Sequence, residues 1–160
     1  MRIHNLLAVI ALAAVSACSM LESNSGPRVS VTADVEPVDL ALGDTVHINV
    51  TVRNTGDREV DVGAPGCNTG FLLSDMQGNA YDPMEQVACT LELRAPIKLA
   101  PGATHSFQVF TTGRAIPQGS QAQPGLVPKG TYRVRPFVHV TYGNEDFVLV
   151  TADPVLVTFR

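Results

Sequence analysis

No stretch of this 160-residue chain is rich in charge of one sign. Lysine and arginine number 11 against 15 acids, a net charge of −4, and the basic residues are scattered. A nucleic-acid binder carries a clustered basic footprint, so that class is excluded and no nucleic-acid partner is expected. Cysteine is scarce, at three residues with no C-x-x-C pair, which removes thioredoxin-type redox centres and the usual zinc spacings. Serine, histidine and aspartate are all present, yet no G-x-S-x-G or other nucleophile setting occurs. The dense oxygen ligands of a D-x-D-x-D-G calcium loop are missing too. No apolar run reaches the ~20 residues that span a bilayer. No stretch has convincing helical amphipathicity, and 11 prolines and 13 glycines, mostly at the ends of apolar segments, would break a helix. The chain is therefore read as a non-enzyme, with no catalytic residue, metal or cofactor assigned.

What is present begins with an address. Arg2 is followed by an almost unbroken apolar run, Leu6 to Val15, of the length of a secretory h-region. Val15-Ser16-Ala17-Cys18 then resembles the lipobox of bacterial lipoprotein precursors. That resemblance implies that residues 1–17 are a signal peptide, that cleavage precedes Cys18, and that its sulfur and new amino group are acylated. One myristoyl-sized chain holds a membrane only reversibly, so lasting attachment takes more than one, and an N-terminal cysteine can carry several. The alternative is a simple secreted protein with a free N-terminal cysteine, a liability in an oxidising compartment. Ser19 stands where an aspartate would resemble the inner-membrane retention signal, which points to the outer membrane, facing the periplasm or the cell surface. Residues 18–26 read as a lipidated tether. From Ser19 to Gly26, eight residues reach at most about 28 Å.

Loss of residues 1–17 removes Arg2, leaving 143 residues and a net charge of −5. One domain, residues 27–160, suits that length. Two cysteines remain, Cys67 and Cys89, and outside the cytoplasm an even pair reads as a disulfide. Metal binding is the competing reading, but neither has a nearby histidine.

Across the domain the apolar period is two. Val29, Val31, Ala33 and Val35 alternate with polar residues, as do Val46, Ile48, Val50 and Val52. Val60 and Val62, "GFLLSD", Ile97–Leu99, Phe107–Val109, "TYRVRPFVHVTY", "FVLVTA" and "PVLVTF" continue the series. Half-buried antiparallel strands have this pattern. "RNTGDRE", "DMQGNAY", "LAPGAT" and "YGNED" supply turns between them. Eight to ten short strands so punctuated predict an all-β, antiparallel, immunoglobulin-like sandwich. Pro136 predicts that its strand lies at an edge or carries a bulge. Gly113 to Gly130, "GRAIPQGSQAQPGLVPKG", is longer than a hairpin loop and rich in Gln, Gly and Pro. Such loops are functional or disordered. It is the candidate binding loop, with Arg114, Ile116, Gln118, Gln121, Gln123, Leu126 and Lys129 as candidate contacts.

"VRNTGDREVDV", "FLLSDMQGNAYD", "IKLAPGATHSFQV" and "LVPKGTYRV" follow one another in the order of the BsuPI-like (intracellular proteinase inhibitor) family, which this chain resembles from about Asp44 to Thr141. The resemblance implies an immunoglobulin-like domain and, as a function, protease inhibition. The chain departs from the family in its export signal, its cysteine pair and its proline-rich insertion.

Other constellations are weaker. His47, His105 and His139 fall on separate predicted strands with no ligand spacing between them. Asp75, Asn79 and Asp82 are explained by a hydrogen-bonded turn, and Met76 and Met84 by packing. Arg133, Arg135 and His139 share the face opposite Tyr132, Val134 and Val138, where they could bind an anionic partner or solubilise an exposed edge and deter edge-to-edge pairing. The expectation is a membrane-anchored lipoprotein whose sandwich binds an envelope protein or glycan. The alternatives are a protease-modulating domain acting through the 113–130 segment and a small periplasmic metal carrier.

Overall fold

A computed structural model describes residues 29–35, 39–63, 69–84, 95–143 and 148–160. Cys18, Cys67 and Cys89, and with them the lipidation and disulfide expectations, lie outside these residues. The described chain is an antiparallel β-sandwich with no α-helix.

The smaller sheet has three strands. β1 is Val29–Val35, and a short β2, Asp39–Leu40, follows and joins the other sheet. β3, Val46–Asn54, pairs with β1 on one side. The larger sheet includes β4 (Val60–Val62), β5 (Thr69–Asp75), β6 (Ala80–Pro83) and β7 (Ile97–Leu99). β8, Thr104–Thr111, returns to the small sheet and completes the order β1-β3-β8. β9 (Arg114–Pro117), β10 (Gly125–Leu126), β11 (Gly130–Thr141), β12 (Val148–Thr151) and β13 (Val155–Phe159) belong to the large sheet. Its main path runs β10-β9-β6-β5-β11-β13-β2; β12 and β4 also pair with β11, and β7 pairs with β4.

The period-two pattern explains the layers. Along β3, Val46, Ile48, Val50 and Val52 turn inward and are buried. Along β11, Tyr132, Val134, Val138 and Val140 do the same from the opposing sheet. Phe71 and Leu73 of β5 and Val157 and Phe159 of β13 fill the space between. A fully buried side chain of this kind contributes about 1.5–3 kcal/mol, so the central strands β3 and β11 hold most of the molecule together.

Pro136 does not lie on an edge strand, but on one side of it the pairing slips by one residue, with residues 152–154 opposite Arg135 and Pro136. β11 is the central strand, and its register with β5 runs unbroken from Tyr132↔Asp75 to Val138↔Thr69. The reason is positional. β13 pairs with β11 only up to Val134, and β12 takes over from Phe137. The Pro136 carbonyl accepts from Ala152 N–H at 2.9 Å on that side. A residue's N and C=O point to the same side of a strand, so the missing N–H of Pro136 faces Ala152, and the ladder with β12 ends there before β13 takes over in a register shifted by one residue.

Two turns are tied by one residue. Ala103 N–H donates to Ala100 O at 3.0 Å, closing a turn whose Gly102 has φ 78°, as the third position of a type II turn requires. Asn54, fully buried, reaches this turn and the next. Its Nδ2 donates to Leu99 O at 2.9 Å and to Arg58 O at 2.7 Å, and its Oδ1 accepts from Gly56 N–H at 2.9 Å. Its backbone N–H donates to Ala103 O, and its carbonyl accepts from Gly102 N–H.

Candidate functional site

The alternation that buries one side of β11 presents the other. Arg133, Arg135, Phe137 and His139 stand on the outer face of the large sheet. The register sets apolar residues beside them: Leu156 opposite Arg133, Leu72 opposite Arg135 and Leu149 opposite His139. These leucines are 56%, 51% and 48% exposed, as open as a surface polar residue. The Phe137 and His139 rings meet edge to face at 5.7 Å. Arg133 Nη1 lies 3.5 Å from the carbonyl oxygens of Asp75 and Met76. No described carboxylate is in ion-pair distance of Arg114, Arg133 or Arg135. Asp82 and Asp61 face the same way, and Lys98 stands 3.3 Å from Asp61 and 3.1 Å from Glu59.

The outer face of the small sheet differs. Thr51 and Ser106 hydroxyls are 3.0 Å apart, and Gln108 Nε2 donates to Asn49 Oδ1 at 2.7 Å. Its polar groups thus satisfy one another across strands, with Phe110 as its one large exposed apolar residue among the described positions. Four of the six large exposed apolar side chains among the described residues (Leu72, Leu126, Leu149 and Leu156) lie instead on the large sheet.

The 113–130 segment is not one open loop. β9 adds to the edge of β6, with Asp82↔Ile116 and Pro83↔Ala115 paired. β10 folds back on β9, with Leu126↔Arg114 paired. Ala115 and Val127 enter the core, and Val127 N–H donates to Gly113 O at 2.8 Å. Burial of these two residues is what the composition of the segment conceals. Of the candidate contacts, Arg114, Ile116 and Leu126 join the outer face of the large sheet. Gln118, Gln121 and Gln123 are exposed at the hairpin tip, and Lys129 is exposed just before β11. The structure therefore brings Arg114, Ile116 and Leu126 onto the surface that carries Leu72, Arg135 and Phe137, while the other four lie outside the strands.

Lys129 precedes a structural lock. Tyr132 Oη donates to Pro128 O at 2.7 Å, the tyrosine corner seen in immunoglobulin-like sandwiches. Its ring packs edge-on against Tyr81 at 5.8 Å and Phe159 at 5.9 Å. Burial, followed by the neighbouring Tyr81 and Asp75, pushes the phenol up to about 12. The "DMQGNAY" segment is a turn locked by Asp75, whose carboxylate accepts from Asn79 Nδ2 at 2.6 Å and from the Gln77 and Asn79 N–H groups. The Asn79 side-chain hydrogen bond comes first among the causes that hold this carboxyl below its usual value.

The three histidines fall on different surfaces. His47 is outward on the small sheet beside Phe110, His105 stacks on Phe107 at 6.4 Å, and His139 is outward on the large sheet. Among the described residues no three His, Cys, Asp or Glu side chains gather as a metal site.

Leu72, Leu149 and Leu156 escaped the sequence reading because each sits in a run apolar on both sides, "FLL", "VLV" and "VLV". Such runs read as buried strands. The alternation around Arg133 and Arg135 was the available signal for the face.

No family model matches this chain, and no curated protein matches it. Among solved structures, the C-terminal domain of wzt is similar in fold, with a TM-score of 0.50 and 12% identity over 83% of this chain and 74% of that one. A β-glucosidase from Erythrobacter marinus superposes with a TM-score of 0.46 at 18% identity, over 82% of this chain but only 15% of the enzyme. A putative ApaA protein from Bordetella pertussis superposes with a TM-score of 0.41 at 20% identity, over 82% of this chain and 91% of that one. At 12% identity the likeness to the wzt domain bears on fold alone, and the class of molecule is an antiparallel β-sandwich.

Proposed function

We propose that the chain is a membrane-anchored bacterial lipoprotein whose β-sandwich is a non-enzymatic binding module in the cell envelope. The observation that carries this reading is the apolar run Leu6–Val15 ending in Val15-Ser16-Ala17-Cys18. Acylation at Cys18 holds the domain at the outer membrane on a short tether, and the domain presents a surface to an envelope protein or glycan. The experiment is fractionation of cells expressing the wild type and a Cys18→Ser variant, with intact-mass analysis of both. The wild type is expected in the membrane fraction with the added mass of acyl chains, and the variant outside it without that mass. If the two fractionate alike, the anchor reading fails.

A second reading, a protease-modulating domain, is favoured by the β9–β10 hairpin, whose tip is exposed at the edge of the large sheet. Incubation with a protease panel separates the two. Inhibition abolished by deleting residues 119–123 supports modulation, whereas inert behaviour toward every protease leaves the binding module.

A further inference from the structure

The outer face of the large sheet combines two features that a solvated face does not need. Leu72, Leu149 and Leu156 are each about half exposed, with Phe137 among them. Interleaved with these stand Arg133 and Arg135, on a chain whose overall charge is −4. Cationic heads over an apolar floor suit an anionic lipid interface, where leucine and phenylalanine enter the headgroup boundary and arginines meet phosphates.

The chain's own path supplies the second argument. Val29 begins β1 opposite Asn54. Asn54 bonds to Leu99 O, Leu99 pairs with Val60, and Val62 pairs with Val140. Val29, where β1 begins, therefore lies at the end where β11 finishes and β12 begins. β1 also contacts β12 and β13. Leu149 and His139 sit at that end of the large sheet. The eleven residues from Cys18 to Arg28 reach at most about 40 Å.

We infer that the outer face of the large sheet, centred on Leu72, Arg133, Arg135, Phe137, Leu149 and Leu156, docks on an anionic lipid surface. This extends the lipoprotein reading and rests on it for the membrane's presence, so the test supplies an anchor of its own. The chain has no tryptophan, which lets a single introduced indole report its surroundings. The chain from residue 18, with Cys18→Ser and an N-terminal hexahistidine, is held on vesicles containing a nickel-chelating lipid. Their remaining lipid is phosphatidylcholine alone or phosphatidylcholine with phosphatidylglycerol, with brominated acyl chains in either. Leu149→Trp is compared with Phe110→Trp on the other sheet. On phosphatidylglycerol vesicles the Leu149→Trp emission should shift to the blue and be quenched by bromine, while Phe110→Trp emission stays unchanged. Adding Arg133→Gln and Arg135→Gln should abolish the Leu149→Trp response. Overturning results are an unshifted Leu149→Trp, equal quenching of both probes, or equal quenching on phosphatidylcholine alone. The first would leave the face to an acidic protein partner. Because the hexahistidine replaces the acyl anchor, none of these outcomes depends on whether Cys18 is lipidated in the cell, which the fractionation experiment decides separately.

Discussion

Asn54 makes five hydrogen bonds from a fully buried position, three through its side chain. Replacement by alanine leaves the Leu99 carbonyl without this donor inside the sandwich and releases two turns together. A buried polar group left unsatisfied costs about 1–3 kcal/mol, so Asn54→Ala should destabilise by about 2–4 kcal/mol, read from urea unfolding. Asn49→Ala, which loses only an exposed bond to Gln108, should stay within about 0.5 kcal/mol. Equal effects would show that Asn54 is not a keystone. Tyr132 adds a pH dependence of definite sign. The folded state holds the phenol proton to about 12, against 10.0 for the unperturbed group. Between these values the folded state binds more protons than the unfolded one, so its stability falls as pH rises. The contribution is complete below pH 10 and is lost towards about pH 12. Tyr132→Phe should flatten this part of the alkaline unfolding profile and, through the lost bond to Pro128, lower stability near neutrality by about 1 kcal/mol.

At the scale of elements, β11 organises the large sheet, and Pro136 is tolerated in its centre only because β13 hands over to β12 there. The β9–β10 hairpin depends on a similar local fit. Gly113 has φ 72°, a left-handed conformation, and a Cβ at that position would stand 3.1 Å from the Phe159 ring. The hairpin's base is consequently pinned while its tip is free of core contacts. Local stability follows burial and protected backbone bonds. Amide exchange should therefore be slow at Ala115 and Val127 and fast across 119–123. Proteolysis by an enzyme of broad specificity should cut first in that tip. Uniformly fast exchange from 113 to 130 would instead describe a free loop.

For the whole molecule, two sheets enclose one core, and their outer faces differ in chemistry. The Cys67–Cys89 disulfide expected from cysteine counting concerns residues beyond those described. A crosslink closing a loop of about 23 residues stabilises by about 2–4 kcal/mol, a large share of a typical domain's about 5–15 kcal/mol. Thiol titration of the unfolded, unreduced protein should find neither cysteine free, and verified reduction should lower the melting temperature. Two free thiols, or an unchanged melting temperature, would refute the bridge. Replacing both with serine should leave attachment through Cys18 intact.

The strands were legible because a half-buried strand leaves a period of two that needs no knowledge of its partner. Val46 to Val52 and Tyr132 to Val134 state their inner faces outright, whereas beyond Pro136 a bulge would have reversed the facing of Phe137 and His139. The turns were legible for the same local reason, since Gly102 and Asp75 act within a few residues of themselves. The short strands β2, β6, β9 and β10 were not, because their residues show no apolar alternation of their own and each strand exists only through a neighbour's edge. The place of Pro136 depended on where two distant strands end. The candidate face depended on register, which set Leu72 and Leu156 beside Arg135 and Arg133 across gaps of more than twenty residues. By itself the sequence determined the fold class and the positions of the main strands, because these follow from local alternation and turn chemistry. Only the tertiary structure decided which outward residues share a surface, because that is settled by pairing between strands remote along the chain.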